Sequence, residues 1–157
     1  MSPKTSTYRD RLAVFPPSTE PEFESALEGM LQRKQFVPGE CLFHEKNLSD
    51  GLYILREGKV GLEIAGVDNG TVAVATCGPS MLIGAGAAVS GRPREYTARA
   101  LTKVTADFVS REVILTKMRA CLPFALQISQ LLAAEVARTN QLALRMRMGE
   151  MPKQIRN

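Results

Sequence analysis

The part of the sequence that decides its fold reads Ile83-Gly84-Ala85-Gly86-Ala87-Ala88-Val89-Ser90-Gly91-Arg92-Pro93-Arg94. Its small side chains let the backbone approach a bound group closely, and a short helical turn here would aim unpaired N–H groups at that group. Arg94 then supplies a planar guanidinium, the usual partner of a phosphate or a carboxylate. A predicted strand, residues 95–101, follows directly and would hold Arg94 on a rigid element. We therefore interpret this segment as a candidate cradle for a small anion.

Short strand-like segments lie on both sides of this cradle, at residues 40–44, 51–56, 59–64, 71–76, 95–101 and 103–109. Two of them alternate apolar with polar or small side chains, which predicts half-buried strands: Val60, Leu62 and Ile64 in one, and Val104, Ala106 and Phe108 in the other. Hairpin turns are predicted at Glu57-Gly58 and Asp68-Asn69-Gly70, the second able to take positive φ. Short strands with frequent glycine turns and no βαβ spacing predict an antiparallel barrel or sandwich.

A short helix is predicted before the strands. Thr19 and Glu22 have the spacing of a capping box, with Pro21 in the first turn. Apolar residues then repeat on one helical face, at Phe23, Ala26, Leu27, Met30 and Leu31. A turn at Pro38-Gly39-Glu40 ends this region, so we expect a short helix that docks on another part of the domain.

Helical periodicity returns after Ser110, first over Val113, Leu115 and Met118. A longer pattern follows with near-heptad steps, at Ala125, Ile128, Leu132, Val136, Thr139, Ala143 and Met146. Such a helix either lies along its own domain or pairs with a second copy of the chain. We favour a parallel homodimer, in which Thr139 is a polar seam position that sets register or touches a ligand.

Composition narrows the class of protein. A chain of 157 residues that is 45% hydrophobic and 23% charged fits one globular domain. No run approaches the roughly 18 apolar residues that cross a bilayer, and the polar N-terminus has no signal core, so we expect a cytoplasmic protein without membrane contact. The cysteines, Cys41, Cys77 and Cys121, are too far apart for a metal clip and are expected to be buried thiols. With His44 as the only histidine, we expect neither a metal site nor an enzyme.

The net charge of +4 is concentrated at the C-terminal end. From residue 138 onward, five bases against one acid give +4, so the preceding part is neutral overall. Such a tail meets nucleic acid or an acidic partner, or it is simply a solvated helix end near the negative pole of the helix dipole. We favour the solvated end.

The order of elements resembles the cyclic-nucleotide-binding domain, the sensor half of catabolite-activator and FNR-type regulators. The resemblance runs from about Phe15 to Met146. It is carried by Val37-Pro38-Gly39-Glu40, Asp50-Gly51-Leu52-Tyr53-Ile54, Glu57-Gly58-Lys59-Val60, Ile83-Gly84, Pro93-Arg94 and Arg99-Ala100-Leu101-Thr102. It implies a mainly β fold, an antiparallel, jelly-roll-like β-roll (double-stranded β-helix) flanked by an N-terminal helix and a long C-terminal helix. The implied division is an extension at 1–18, the roll at 19–121, a dimerisation helix at 122–148 and a basic tail at 149–157.

The resemblance also implies ligand-binding positions, at Ile83, Gly84, Ala85, Gly86, Ala87, Arg94, Glu95, Tyr96, Thr139 and Asn140. Gly84 and the small turn after it would offer N–H groups to a cyclic phosphate, and Arg94 would pair with its oxygens. On the long helix, Thr139 and Asn140 would reach the purine base. An alternative for Arg94 is a structural pair with Glu95.

The chain departs from the family pattern at four positions. Ala85 replaces a glutamate that accepts from the ribose 2′-hydroxyl, and Glu95 replaces a serine or threonine that donates to the phosphate. If Glu95 faced the pocket, it would repel a phosphate. Tyr96 stands where a small alanine is usual, and Lys46 where a turn glycine is common.

These observations favour a stand-alone regulatory sensor that binds a cyclic nucleotide, cyclic AMP or cyclic GMP, or a related small anion, and signals through its C-terminal helix. The alternative is a degenerate domain that binds no nucleotide and serves as a dimeric protein-interaction module. An enzyme built on the roll is the least favoured. Because too few residues follow the long helix for a helix-turn-helix, we expect no direct sequence-specific DNA binding and an output through a protein partner.

Overall fold

The computed structural model describes the backbone of residues 21–147 and 154–155, and the side chains of 23–134, 136 and 137. The strands within this part are β1 Gln32–Phe36, β2 Cys41–Phe43, β3 Gly51–Glu57, β4 Val60–Ala65, β5 Thr71–Cys77, β6 Leu82–Ile83, β7 Thr97–Ala100, β8 Val104–Ser110 and β9 Gln154–Ile155. The α-helices are α1 Pro21–Ala26, α2 Ala85–Ser90, α3 Arg111–Ala120 and α4 Leu122–Arg147, and a 3₁₀ turn spans Val67–Asn69.

The strands form two antiparallel sheets. One has the order β1-β8-β3-β6 and the other has the order β2-β7-β4-β5-β9. Of the described strands, only β4 and β5 are neighbours both in sequence and in a sheet, so the chain passes repeatedly from one sheet to the other. This topology confirms the predicted jelly-roll-like β-roll with flanking helices.

Strand β3 joins two hydrophobic cores because both of its faces are buried. Tyr53 and Leu55 point into the first core, which fills the space between the sheets. Leu52 and Ile54 point into the second core, which the helices build on the outside of the roll. The cradle helix α2 belongs to this second core through Ala85 and Ala88, so the candidate site lies where the two cores meet.

The N-terminal helix docks on the long helix, as its apolar face predicts. Phe23 and Leu27 are buried, and the Phe23 ring stacks on that of Phe124 at 4.8 Å between centroids. Met30 lies beyond the end of α1 and is 41% exposed, so its predicted place in the buried face is wrong. The proposed cap residue Thr19 lies outside the described residues.

The long helix α4 spans Leu122–Arg147, and its first half packs on its own domain. Ile128 is fully buried in the second core and Leu132 packs against that core. Ile128 is therefore unavailable to a second copy of the chain, contrary to its predicted place in an interhelical seam. Val136, one turn beyond Leu132, is 59% exposed. The side chains of Thr139, Ala143 and Met146 lie outside those described.

Two predicted alternations are only partly correct. In β4, Val60 and Leu62 are buried, but the pairing with β5 shifts register after Leu62 and Glu63 is also buried, bonded to Arg99. In β8 both faces are buried: Asp107 is bonded to Arg33 and Arg56, and Val109 lies in the second core. Strands β1, β6 and β9 lie outside every predicted strand.

Both predicted turns are present, but Glu57-Gly58 joins β3 of one sheet to β4 of the other, so the hairpin predicted there is wrong, whereas the β4–β5 hairpin is confirmed. Gly39 and Gly58 have φ of 91° and 90°, and Asp68 and Asn69 have φ of 62° and 60° in the β4–β5 turn. Lys46, at the position of an expected glycine, also has a positive φ of 70°. Within the described part of the chain, no helix has the length and apolar content needed to span a bilayer.

Candidate anion-binding site

Gly84 is the point at which the chain turns from β6 into α2. Its φ of 83° lies in the left-handed region, where glycine is favoured. A Cβ atom here would run into the Arg94 Nη1 atom and lie 3.1 Å from the edge of the Phe43 ring. Glycine therefore has two roles here, the backbone turn and the close approach of the Arg94 guanidinium.

The backbone of Arg94 is fixed by the loop that follows β2. Its N–H donates to the carbonyl of Asn47 and its carbonyl accepts from the N–H of Lys46, both at 2.8 Å. Next to it, Pro93 forms an isolated antiparallel bridge with Leu48. The positive φ of Lys46 belongs to this loop. These backbone contacts fix the position from which the Arg94 side chain extends.

The guanidinium of Arg94 is turned inward and is only 2% exposed. Nη1 donates to the carbonyl of Gly84 at 3.1 Å, and Nη2 donates to the carbonyl of Gly51 at 2.7 Å. Nη2 also lies 3.3 Å from Oδ1 of Asp50, and the group sits 3.9 Å above the centroid of the Phe43 ring. Nε is buried and has no hydrogen-bond partner within the described protein.

This cation is incompletely neutralised. Burial lowers the pKa of Arg94, and the charge of Asp50 partly opposes that effect. Arginine keeps its proton at neutral pH even so. Its carboxylate partner is Asp50, whose side chain is 71% exposed and therefore screened by water. The expected alternative, a pair between Arg94 and Glu95, is wrong, because the Glu95 side chain is exposed and the carboxylate bonded to Arg94 is that of Asp50.

Tyr96 closes the other side of the cradle. Its hydroxyl oxygen accepts the backbone N–H of Gly84 at 3.1 Å, and its ring lies 5.7 Å from that of Phe43. The N–H of Gly84 is one of the groups expected to meet an anion. In this structure the side chain that replaces the family's small alanine occupies it.

The structure therefore brings together part of the predicted set. Gly84 is hydrogen-bonded to both Arg94 and Tyr96, and Ala85 is the first residue of α2, with Gly86 and Ala87 in the same turn. Ile83 is fully buried in the first core. Thr139 and Asn140 belong to α4, but their side chains lie outside those described, so their role stays a prediction.

Sequence reasoning assigned no role to three contributors to the site. Asp50 and Gly51 belong to one of the motifs that carry the family resemblance, and Phe43 belongs to a predicted strand. Asp50 and Gly51 accept hydrogen bonds from Arg94, and the Phe43 ring lies under its guanidinium. The sequence shows a polar residue and a glycine at the start of a strand, but it does not show that they meet Arg94, which is more than 40 residues away.

The cysteines and acidic residues do not assemble into a metal site within the described part. No group of three or more His, Cys, Asp or Glu is suitably placed there. The three cysteines are free thiols, of which Cys77 is buried, whereas Cys41 and Cys121 are half-buried rather than buried as expected. Burial raises the pKa of the Cys41 thiol.

The sequence is similar to a known protein family and to two curated transcriptional regulators. The family model described as "Cyclic nucleotide-binding domain" matches residues 33–121. The HTH-type transcriptional regulator Cmr of Mycobacterium tuberculosis (strain CDC 1551 / Oshkosh) is 35% identical over 88 residues, 56% of this chain and 36% of that protein. The CRP-like cAMP-activated global transcriptional regulator of the same strain is 28% identical over 130 residues, 83% of this chain and 58% of that protein.

The same likeness holds in three dimensions. The solved structure of the Thermus thermophilus catabolite activator protein matches with a TM-score of 0.68 at 26% identity, covering 83% of this chain and 60% of that one. The chain spans only part of its curated relatives, 36% of the length of the Cmr regulator and 58% of the length of the CRP-like regulator.

Proposed function

Because the chain belongs to the cyclic nucleotide-binding domain family, we propose that it is a regulatory sensor domain that binds a cyclic nucleotide or a related small anion at Gly84 and Arg94. On this proposal it works in the cytoplasm, catalyses no reaction and passes its signal through α4 to a protein partner. The printed name of one relative, a cAMP-activated transcriptional regulator, supports cyclic AMP as the first ligand to test.

The observation that carries the proposal is the buried, incompletely neutralised cation of Arg94. A charge removed from water is destabilising unless it is paired and fully hydrogen-bonded. Here the Nε donor has no partner within the described protein and the paired carboxylate is largely exposed. An anion bound beside the guanidinium would supply both the missing acceptor and the missing charge.

The residues fit the phosphate of a cyclic nucleotide better than its ribose. Arg94 and the N–H of Gly84 are a donor set suited to a phosphate. Ala85 has no oxygen to accept from a ribose hydroxyl. This donor set supports a small phosphate-bearing or carboxylate-bearing ligand, with cyclic AMP and cyclic GMP as its best-defined members.

Contacts between the cradle and the helices support the signalling part of the proposal. Ala85 and Ala88 of α2 pack in the second core, which also contains Phe124 and Ile128 of α4. A ligand that moved α2 would therefore change the packing of the long helix. Such a change requires that the ligand bind one arrangement of the helices more tightly than the other.

A second candidate is a dimeric interaction module without a ligand. Three observations favour it: Ala85 lacks the expected carboxylate, Tyr96 occupies the N–H of Gly84, and Arg94 donates to two backbone carbonyls of its own chain. In this case the internal bonds of Arg94 are purely structural.

Calorimetric titration with cyclic AMP and cyclic GMP separates the two candidates. The wild-type chain should bind one of them, and Arg94→Ala should weaken binding by about ten- to a hundredfold, the effect of a charge-assisted hydrogen bond worth roughly 1.5–3 kcal/mol. Arg92→Ala is a matched control, because Arg92 is exposed and lies two residues away. No binding of either nucleotide by wild type would favour the interaction module, whereas equal binding by wild type and Arg94→Ala would place the ligand away from Arg94 and contradict the proposed site.

A further inference from the structure

We infer that Tyr96 is an internal latch on the anion site: its hydroxyl occupies the Gly84 N–H, and a ligand must displace it. The inference rests on the proposed function for the identity of the ligand, but the latch itself is a contact within the chain. It assigns Tyr96 the role of setting how much ligand is needed to occupy the site.

The latch involves the side chains of Tyr96, Phe43 and Arg94, with the Phe43 ring in contact with the other two. The Tyr96 hydroxyl accepts from the Gly84 N–H at 3.1 Å, and its ring lies 5.7 Å from that of Phe43. On the same side, the Arg94 guanidinium lies 3.9 Å from the centroid of the Phe43 ring and donates to the Gly84 carbonyl. Gly84 is therefore held at its N–H by Tyr96 and at its carbonyl by Arg94, two side chains that follow α2 in sequence.

The two acceptors of the Gly84 N–H exclude each other. The amide has one hydrogen, directed at the phenol oxygen, so an anion oxygen can accept it only after the phenol has moved. A charged acceptor forms a stronger hydrogen bond than a neutral phenol oxygen, which allows an anion to win this competition. Binding is nevertheless weakened by the phenol bond that has to be broken.

The position of Tyr96 explains why this latch is specific to a large polar side chain. An alanine there would have no atom able to reach Gly84, and a phenylalanine would keep the ring contact with Phe43 without an oxygen. Tyr96→Phe therefore removes the latch while it preserves the shape of the site. Tyr53→Phe is the matched control, because Tyr53 is buried in the same core and its hydroxyl instead lies 3.4 Å from the Leu42 carbonyl.

Binding is the first test, with cyclic AMP, cyclic GMP and inorganic phosphate as the probes. Tyr96→Phe should bind the same probe about fivefold more tightly than wild type, which is the effect of one lost competing hydrogen bond. Tyr53→Phe should bind like wild type. If Tyr96→Phe binds equally or more weakly while wild type binds, the latch is overturned and the proposed function stands.

Amide hydrogen exchange of Gly84, followed by nuclear magnetic resonance without any ligand, is the second test. The Gly84 amide should exchange at least threefold faster in Tyr96→Phe than in wild type or in Tyr53→Phe. An unchanged exchange rate overturns the latch. Faster exchange together with no binding of any probe by any variant supports the latch and overturns the proposed function instead.

Discussion

The carboxylate of Asp107 should be a large single contributor to the stability of the roll. It lies on β8, between β1 and β3, and is 4% exposed. Arg33 donates to it at 3.1 Å and 3.4 Å, and Arg56 donates at 2.7 Å. Arg56 also donates to Glu24 at 2.8 Å, so this network ties α1 to the strands. Asp107→Asn keeps the size of the side chain and removes its charge.

The cost of Asp107→Asn can be estimated from the exposure of the two arginines. The Arg33 side chain is 64% exposed, so water screens its pair with Asp107 and the pair adds little. The Arg56 side chain is only 22% exposed, and its short charge-assisted hydrogen bond is worth about 1.5–3 kcal/mol. The substitution should therefore lower the free energy of unfolding by about 1.5–3 kcal/mol. For a chain of this size, that lowers Tm by roughly 3–12 °C.

Urea unfolding followed by circular dichroism measures this difference directly. Arg33→Gln is the control, since it removes only the exposed partner and should destabilise the protein much less than Asp107→Asn does. If Asp107→Asn lies within about 0.5 kcal/mol of wild type, the buried pair between Asp107 and Arg56 does not stabilise the roll, and the reasoning is refuted.

The pH dependence of the same difference is a second check. Burial alone would raise the pKa of Asp107, but the hydrogen bonds and charges of Arg33 and Arg56 outweigh it and lower the pKa. A carboxylate with a lowered folded pKa stabilises fully above its unfolded pKa of about 3.9, and this stability is lost as pH falls through the folded value. The gap between wild type and Asp107→Asn should thus be constant from about pH 5 to pH 8 and shrink below about pH 4.

Two further substitutions probe the cradle and the long helix. Gly84→Ala should lower the free energy of unfolding by about 2–4 kcal/mol, since a left-handed φ of 83° is strained for alanine and its Cβ meets Arg94; a thermal melt within 2 °C of wild type would contradict this. Val136→Glu, at a position of the predicted seam that is 59% exposed, should turn a dimer into a monomer by sedimentation, whereas Leu101→Glu on the roll should not. A wild-type chain that is already monomeric at high micromolar concentration would exclude the predicted dimer.

The fold was predictable because its signals are local. The turn at Gly58 and the β4–β5 hairpin at Asp68-Asn69 need positive φ, and the structure has it at each of these residues. Strand β1 was missed because its sequence, Gln32–Phe36, is polar except at its last residue. It becomes a strand by pairing with β8, where Asp107 accepts from Arg33. A polar strand stabilised by a distant carboxylate leaves no periodic pattern in its own sequence.

The site was predictable only to the extent that it lies in one segment. Gly84 and Arg94 are ten residues apart, and their spacing with the small residues between them is visible in the sequence. Asp50 lies 44 residues from Arg94, and it displaced the neighbouring Glu95 as the expected partner because the guanidinium turns inward. The direction of a side chain at a bend depends on the whole roll, so adjacency in sequence was a poor guide to pairing.

The departures from the family pattern at Ala85 and Tyr96 both affect the equilibrium between the ligand-free and the ligand-bound site. Ala85 cannot accept a hydrogen bond from a ribose hydroxyl, as the family's glutamate does. Tyr96 adds a hydrogen bond to the Gly84 N–H that a ligand must break. Both changes favour the ligand-free arrangement, and the internal bonds from Arg94 to the carbonyls of Gly84 and Gly51 act in the same direction. The Nε atom, which has no partner among the described residues, and the exposure of Asp50 act in the opposite direction, because they leave part of the charge of Arg94 without compensation. On the proposed function, this balance produces a sensor with a high threshold, which responds to a small anion only at concentrations well above those that saturate a site with the family's glutamate and alanine.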